Sequence, residues 1–496
     1  MRRASVRTVV PLLLVAACAQ AEDQPALTGV SSPKFVSTAS AGTEGAWEPV
    51  RPWPVTPVHA QLLPDGRVLA WGSENPWDST YQKAAAWDPV NDQFILADNT
   101  TVNIFCAGHS ILPDGRLLVT GGHLPGSLGK NDIQIFDPAT NSWSSGGHMY
   151  EGRWYPSNVT LANGEVLIVA GLRKDGRNNP IPEIWNPSGT IRKLSTASRS
   201  MFFYPWLFLY ANGKVFHAGP NKQAAFLTTT GTGKWVSAPQ SSITLRDYGT
   251  AVLFEKGRII IAGGGNASIT NTAETINLNT PKTKWFATSP MHFARRHATG
   301  VALPNGEVLV VGGTSAAGFN NVAGAVHQPE IWNSVTGTWR LMAPHQQNRL
   351  YHSMSLLLPD GRVLVGGGTD GPSGEATSNY QDVEIFSPPY LFQADGSPAV
   401  RPSITSAPVS VTNGQTVLVG TPDAARIIRV SLIRTAAVTH GFNQDNRMLR
   451  LNYAATGGGL SVTIPPNRND APPGYYMLFL VNDAGVPSVG VILKVS

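Results

Sequence analysis

Only two cysteines occur in the 496 residues, Cys18 and Cys106. Cys18 falls in the N-terminal leader, so Cys106 stands without a disulfide partner in a chain that reads as exported. Charge is scarce as well: Asp, Glu, Lys and Arg make up 14% of the residues, against about a quarter in an average globular chain. The net charge is a modest +5 with no Lys/Arg run, so no nucleic-acid partner is expected. Past the leader there is no apolar run long enough to span a bilayer, and no segment holds a long amphipathic helical period. Glycine (50), proline (38) and tryptophan (13) are abundant instead. Together they describe many short strands joined by tight turns.

Residues 1–21 have the form of an export signal. Arg2, Arg3 and Arg7 are the basic part, Val9–Ala17 the apolar part, and Ala19-Gln20-Ala21 a small-residue cleavage site. Val15-Ala16-Ala17-Cys18 also has the form of a bacterial lipobox, which would make Cys18 a lipid anchor. The expected location is therefore extracellular, either secreted or lipid-anchored at the bacterial cell surface. Residues 22–45, rich in Ser, Ala, Thr, Gly and Pro, read as a flexible tether.

The body of the chain repeats. Seven turns, each a residue pair ending in glycine, sit between two apolar strands. Their glycines are Gly66, Gly115, Gly164, Gly213, Gly257, Gly306 and Gly361, spaced by 49, 49, 49, 44, 49 and 55 residues. Six of the seven pairs are Asp-Gly or Asn-Gly, a hairpin signature. Most units go on to an aromatic strand, and several close on a tryptophan: Trp143, Trp235, Trp285 and Trp339. A period near fifty of this form is the kelch signature. The fold class is thus all-β, with a seven-bladed kelch propeller over residues 46–396. The seventh unit runs out after Phe386, and Gly45–Val50 has the form of the closing strand that completes it. Residues 397–496 hold further short strands and read as an immunoglobulin-like β-sandwich.

In a propeller the first strand of each blade lies nearest the axis, so equal offsets from the turn glycine mark equivalent places on one rim. Nine residues before each glycine stand Pro57, Cys106, Tyr155, Tyr204, Tyr248, His297 and His352. Aromatic rings can simply plug a channel, and Tyr204 or Tyr248 taken singly is read that way. The set as a whole points to a functional mouth. Cys106 and Tyr155 lie on adjacent blades, while His352, preceded by Tyr351, faces them across the axis. Phenol oxygens and imidazole nitrogens around one point suit Cu(II). His440, at a strand end before a polar turn in the C-terminal region, is a candidate fourth ligand.

Phe105-Cys106, Arg153-Trp154-Tyr155, Arg349-Leu-Tyr351-His352-Ser353 and Thr435-Ala-Ala-Val-Thr439-His440, on kelch blades with a C-terminal sandwich, carry a resemblance. The chain resembles the copper radical oxidases, the group containing galactose oxidase and glyoxal oxidase. The resemblance implies one copper ion held by Tyr155, Tyr351, His352 and His440. It also implies a protein-derived cofactor, a Cys106–Tyr155 thioether whose tyrosine carries the radical. The implied reaction takes two electrons from a small aldehyde or primary alcohol and passes them to O2, giving hydrogen peroxide. Trp154 adjoins the radical tyrosine, Phe319 falls in a loop that borders the pocket in this family, and Tyr204, Tyr248 and His297 share the mouth. The chain has no room for the N-terminal carbohydrate-binding domain common in galactose oxidases, and in outline it is nearer glyoxal oxidase. Two alternatives stay open: oxidation of a carbohydrate primary alcohol, and a non-catalytic kelch module that binds glycan or protein. A monomer acting on small molecules is expected.

One competing motif is set aside. Gly366-Gly-Gly368-Thr-Asp-Gly371 fits a dinucleotide fingerprint, but Pro372-Ser-Gly follows where that fingerprint needs a helix.

Overall fold

A computed structural model of the chain describes residues 23–25, 38–72, 78–370 and 379–496. The export-signal reading of residues 1–21, with Cys18, lies outside the described residues, as do residues 22 and 26–37 of the expected tether and Gly371 of the glycine motif. Within the stretch read as a tether, Asp23–Pro25 pairs with Ser406–Pro408. Ala41–Glu44 forms a helical turn with Ala41 buried, and the Ala343 amide donates to the Glu44 carbonyl. The described parts of that stretch are therefore tied to the fold, a correction to the bare-tether expectation.

The architecture is almost all strand. Each of the seven repeat glycines heads its own antiparallel hairpin in a separate sheet. The turn chemistry explains the regularity. In the first hairpin the Leu63 amide donates to the Arg67 carbonyl and the Gly66 amide to the Leu63 carbonyl. Gly66 closes the turn at φ 87°, a left-handed place that glycine takes without a Cβ penalty. Four-stranded order is plain in the units after Gly164, Gly213, Gly257 and Gly306. The last unit supplies three strands, and the N-terminal Ala46–Trp47 supplies the outer one by pairing with Ser387 and Phe386. The Trp47 indole N–H donates to the Ala343 carbonyl at 2.7 Å, which fixes that closure.

The second domain is a sandwich of two five-stranded sheets. Ile427–Arg434, Gly474–Asn482 and Val491–Val495 lie in one sheet, and Thr416–Gly420 and Gly459–Thr463 in the other. Alternate residues fill the space between them, among them Val419, Val430, Leu432, Leu460, Val462 and Leu478. Further strands at Ser406–Pro408, Met448–Arg450 and Asn452–Thr456 carry no apolar alternation clear enough to read from sequence.

One hairpin leaves the sandwich and enters the propeller. Ala437–Thr439 pairs antiparallel with His59–Leu62, the first strand of the first unit, with Thr439 opposite His59. Residues just beyond it bond to several other units. Gln444 accepts from the His109 and Asn158 amides, the Gly441 carbonyl from the Thr250 hydroxyl, and Asn446 from the Leu253 amide. Arg447 donates to the Leu209 carbonyl. A single hairpin is thereby gripped from several sides, and its tip carries His440.

No helix among the described residues is long and apolar enough to cross a membrane.

Candidate metal centre

The rim is set by a repeated buried ion pair. Arg153, Arg246, Arg295 and Arg349 reach Glu183, Glu274, Glu330 and Glu384 at 2.7–2.9 Å. Each arginine also donates to a backbone carbonyl at the end of the second strand: Ala170, Gly263, Gly312 or Gly367. These bonds meet the terminal nitrogens of each buried guanidinium, which offsets its desolvation, while Nε of Arg153, Arg246 and Arg295 has no partner. Two residues on from the first three of these arginines, and three on from Arg349, comes the rim residue itself.

Six of the seven rim residues share an unusual backbone. Cys106, Tyr155, Tyr204, Tyr248, His297 and His352 have φ between 44° and 68°, and His440 has φ 49°. For non-glycine residues this left-handed region costs about 1–2 kcal/mol each. Pro57 alone stays out, because its ring fixes φ negative. Amide bonds between neighbouring units hold the strained turns: Tyr155 donates to the Cys106 carbonyl, Tyr204 to that of Tyr155, and His297 to that of Tyr248.

At the hub the side chains converge. The Tyr155 hydroxyl is 2.9 Å from His440 Nε2 and in hydrogen-bond contact with the Tyr351 hydroxyl. The His352 ring stacks on Tyr351 at 3.8 Å and lies 4.7 Å, edge-on, from His440. Ligand atoms of Cys106, His352 and His440 all fall within 4.8 Å of one another. Neither His352 nitrogen has a hydrogen-bond partner, although the residue is buried. His440 Nδ1 bonds Thr439 Oγ1 at 2.6 Å; in the tautomer with Nδ1–H as donor, Nε2 is the lone-pair nitrogen aimed at the hub.

The electrostatics match a cation site. Burial pushes the His352 imidazole down to about 3. Burial, with neighbouring imidazoles, also holds His440 well below its ordinary value. Both are thus neutral, lone-pair donors. Burial and the neighbouring ionisable groups push Tyr155 and Tyr351 well above the usual phenol range, so without a cation both stay protonated. A dication between them reverses that preference. Burial likewise raises the Cys106 thiol, which makes hydrogen-bond contacts with the Tyr155 and Trp154 side chains. Two phenol oxygens and two neutral imidazoles, one with orphaned nitrogens, fit copper better than zinc.

The remaining mouth residues surround this set. Trp154 stacks on Tyr155 at 3.8 Å and 11°. Tyr204 lies 4.7 Å from Tyr155 and 4.8 Å from His440, its hydroxyl donating to the Ala107 carbonyl. Tyr248, His297 and Phe319 pack around Tyr351 at ring separations of 5.6, 5.2 and 4.8 Å. A cavity of about 240 Å³ reaches His440 between Tyr204 and Tyr248, walled by Phe202, Phe203, Trp206 and Pro220. Its one carboxylate among the described residues is Asp247, paired with Arg296 at 2.9 Å. Trp154, His297 and Phe319 do not line that cavity.

The family model described as glyoxal oxidase N-terminus matches residues 83–232 and 265–390, and that of the galactose oxidase-like early set domain matches residues 401–495. The chain belongs to the copper radical oxidases. A galactose oxidase of Gibberella zeae is 33% identical over 493 aligned positions, covering 91% of this chain and 71% of the relative. The aldehyde oxidase GLOX of Vitis pseudoreticulata is 30% identical, covering 68% of this chain and 71% of its own. A solved fungal alcohol oxidase in complex with copper superposes with a TM-score of 0.83 at 30% identity, covering 92% of this chain and all of that one.

In this copper radical oxidase the phase count brought Cys106, Tyr155, Tyr204, Tyr248, His297 and His352 to one rim, but several neighbours escaped it. His59 lies two residues past the Pro57 rim place and accepts the Cys106 amide. His123 accepts the Trp154 indole N–H at 3.1 Å. Thr439, Phe203 and the Asp247–Arg296 pair were also missed. A histidine on a first strand whose only other polar residue is Gln61 was the available signal for His59; the others carry no period.

Proposed function

We propose that this chain is an extracellular copper radical oxidase that converts small aldehydes or primary alcohols, with O2, to the oxidised product and hydrogen peroxide. The observation that carries the reading is the convergence of the Tyr155 and Tyr351 hydroxyls with the His352 and His440 rings, next to the lone Cys106 thiol. Tyr155, Tyr351, His352 and His440 would hold the copper, and Cys106 would join Tyr155 as a thioether. Bound there, copper supplies one of the two one-electron acceptors that the reaction needs and lowers the pKa of a substrate hydroxyl.

The chain's own residues account for the rest. Tyr351, as phenolate, is placed to take the hydroxyl proton. Tyr155 would be the residue that takes the carbon-bound hydrogen, and a sulfur substituent from Cys106 would make its ring easier to oxidise. Trp154 covers one face of that ring and shields it from solvent. The substrate enters past Tyr204 and Tyr248, where the aromatic walls exclude water. Those walls favour a small alcohol or aldehyde over a polyhydroxylated sugar, since no lysine or arginine among the described residues lines the cavity.

All the proposed ligands come from one chain, which supports action as a monomer, and the modest charge supports no nucleic-acid role. The leader pattern supports export. We read residues 46–396 as the propeller domain and 397–496 as the sandwich.

Copper-loaded protein, exposed to air, is expected to lose the mass of two hydrogens, and Cys106→Ala to lose none. Peroxide should form only with oxygen and substrate, faster on glyoxal-type aldehydes or simple alcohols than on galactose. An intact Cys106 thiol after copper and air, with no peroxide from any substrate, would leave only a binding module.

A further inference from the structure

Cys106 is held in its left-handed turn differently from Tyr155, Tyr204 and His297. Tyr155, Tyr204 and His297 each donate their amide to the carbonyl of the rim residue one unit earlier. For Cys106 that residue is Pro57, yet its amide goes instead to a side chain, His59 Nε2, at 3.0 Å. His59 is fully buried, and its Nε2 is the acceptor that faces the Cys106 amide. The ring lies flat on Trp71 at 4.8 Å and 5°, and the Trp71 indole N–H donates to the Ile104 carbonyl at 3.2 Å. One stacked pair thus fixes the 104–106 turn at two points. The strand that carries His59 is also the one on which the His440 hairpin is registered, Thr439 opposite His59. The cysteine and the hairpin histidine are aligned from one place.

We propose that His59 is a positioning residue for thioether formation: it holds the Cys106 backbone so that Sγ stands against the Tyr155 ring. This rests on the oxidase reading above. The step breaks the Cys106 S–H and one ortho C–H of Tyr155 and forms one C–S bond. Its two electrons and two protons pass to dioxygen, giving hydrogen peroxide. His59 touches neither bond.

The test starts from metal-free, uncross-linked protein and follows intact mass after copper and air are supplied. His59→Phe keeps the ring over Trp71 and removes the acceptor. It should bind one copper and slow the mass loss roughly tenfold, the scale of one lost hydrogen bond. His59→Gln, whose amide oxygen stands near the place of Nε2, should restore most of the rate. Hydrogen exchange of the peptide around Cys106 in the metal-free proteins should be faster in His59→Phe than in the parent and His59→Gln. A His59→Phe rate equal to the parent's overturns the proposal, as does unchanged exchange or failure of His59→Gln to recover. Should His59→Phe not fold, a parent-like exchange and rate in Trp71→Phe, where the stack and the Ile104 bond are weakened, overturns it equally. If the parent itself never loses two hydrogens, the oxidase reading falls first and this proposal with it.

Discussion

His440 Nε2 lies 2.9 Å from the Tyr155 hydroxyl across 285 residues of sequence. Neither residue reaches the other by local structure. Tyr155 is placed by the Arg153–Glu183 strut and its left-handed turn. His440 is placed by a hairpin from the second domain paired to the first strand of the propeller. The site is thus a joint between two domains, and its integrity depends on both.

Thr439 orients the ring of His440 through the 2.6 Å bond to Nδ1. Replacing it by valine keeps the shape and removes the bond. Partners of this kind are worth about 10–100-fold in metal affinity or activity. Copper titration of Thr439→Val should show weaker binding within that range; parent-like affinity would remove the threonine from the account.

Stability of the metal-free protein should fall in acid. His109, His217 and His345 are buried, and burial takes each down to about 3. Their folded values lie below the unfolded value near 6.5, so the unfolded chain binds the extra protons first. Stability is full above about pH 6.5 and declines as pH drops toward 3, by up to about 1.4 kcal/mol per pH unit for each histidine. A melting temperature flat from pH 7 to pH 4.5 would contradict this.

The buried struts should be costly to break from one side. Arg295 and Glu330 are both fully buried and 2.7 Å apart. Arg295→Met leaves Glu330 with a surplus charge, at a cost of about 3–5 kcal/mol. Urea denaturation of that variant, beside Arg426→Met at a half-exposed pair, should show the large loss only in the first.

Trp154 should govern the persistence of an oxidised Tyr155. A stacked aromatic pair contributes about 0.5–1.5 kcal/mol beyond burial, so Trp154→Ala should shorten the lifetime of the radical's optical band by up to about tenfold. An unchanged decay would assign the indole to packing alone.

Much of this was legible because the repeat is a ruler. Fixed spacing from the turn glycines turned a list of residues into a rim, and Cys106, Tyr155 and His352 do meet near one point. The count was blind to the backbone, and did not show that the same residues sit in left-handed turns, with the Tyr155 amide tied to the Cys106 carbonyl. It was also blind to partners off the phase, such as His59 and His123. The stretch before Ala46 looked free because its composition is that of a linker, yet Ala41 is buried and Glu44 accepts from Ala343.

The sequence by itself determined the sheets, since period and turn chemistry act over a few residues and need no distant partner. It also determined which residue types stand on the rim. Only the tertiary structure decided that His440 arrives there. Its position depends on a strand pairing across domains, and on the Gln444, Asn446 and Arg447 contacts that grip the hairpin. Pairing of that range leaves no local pattern, because its energy comes from surfaces that exist only once both domains have formed.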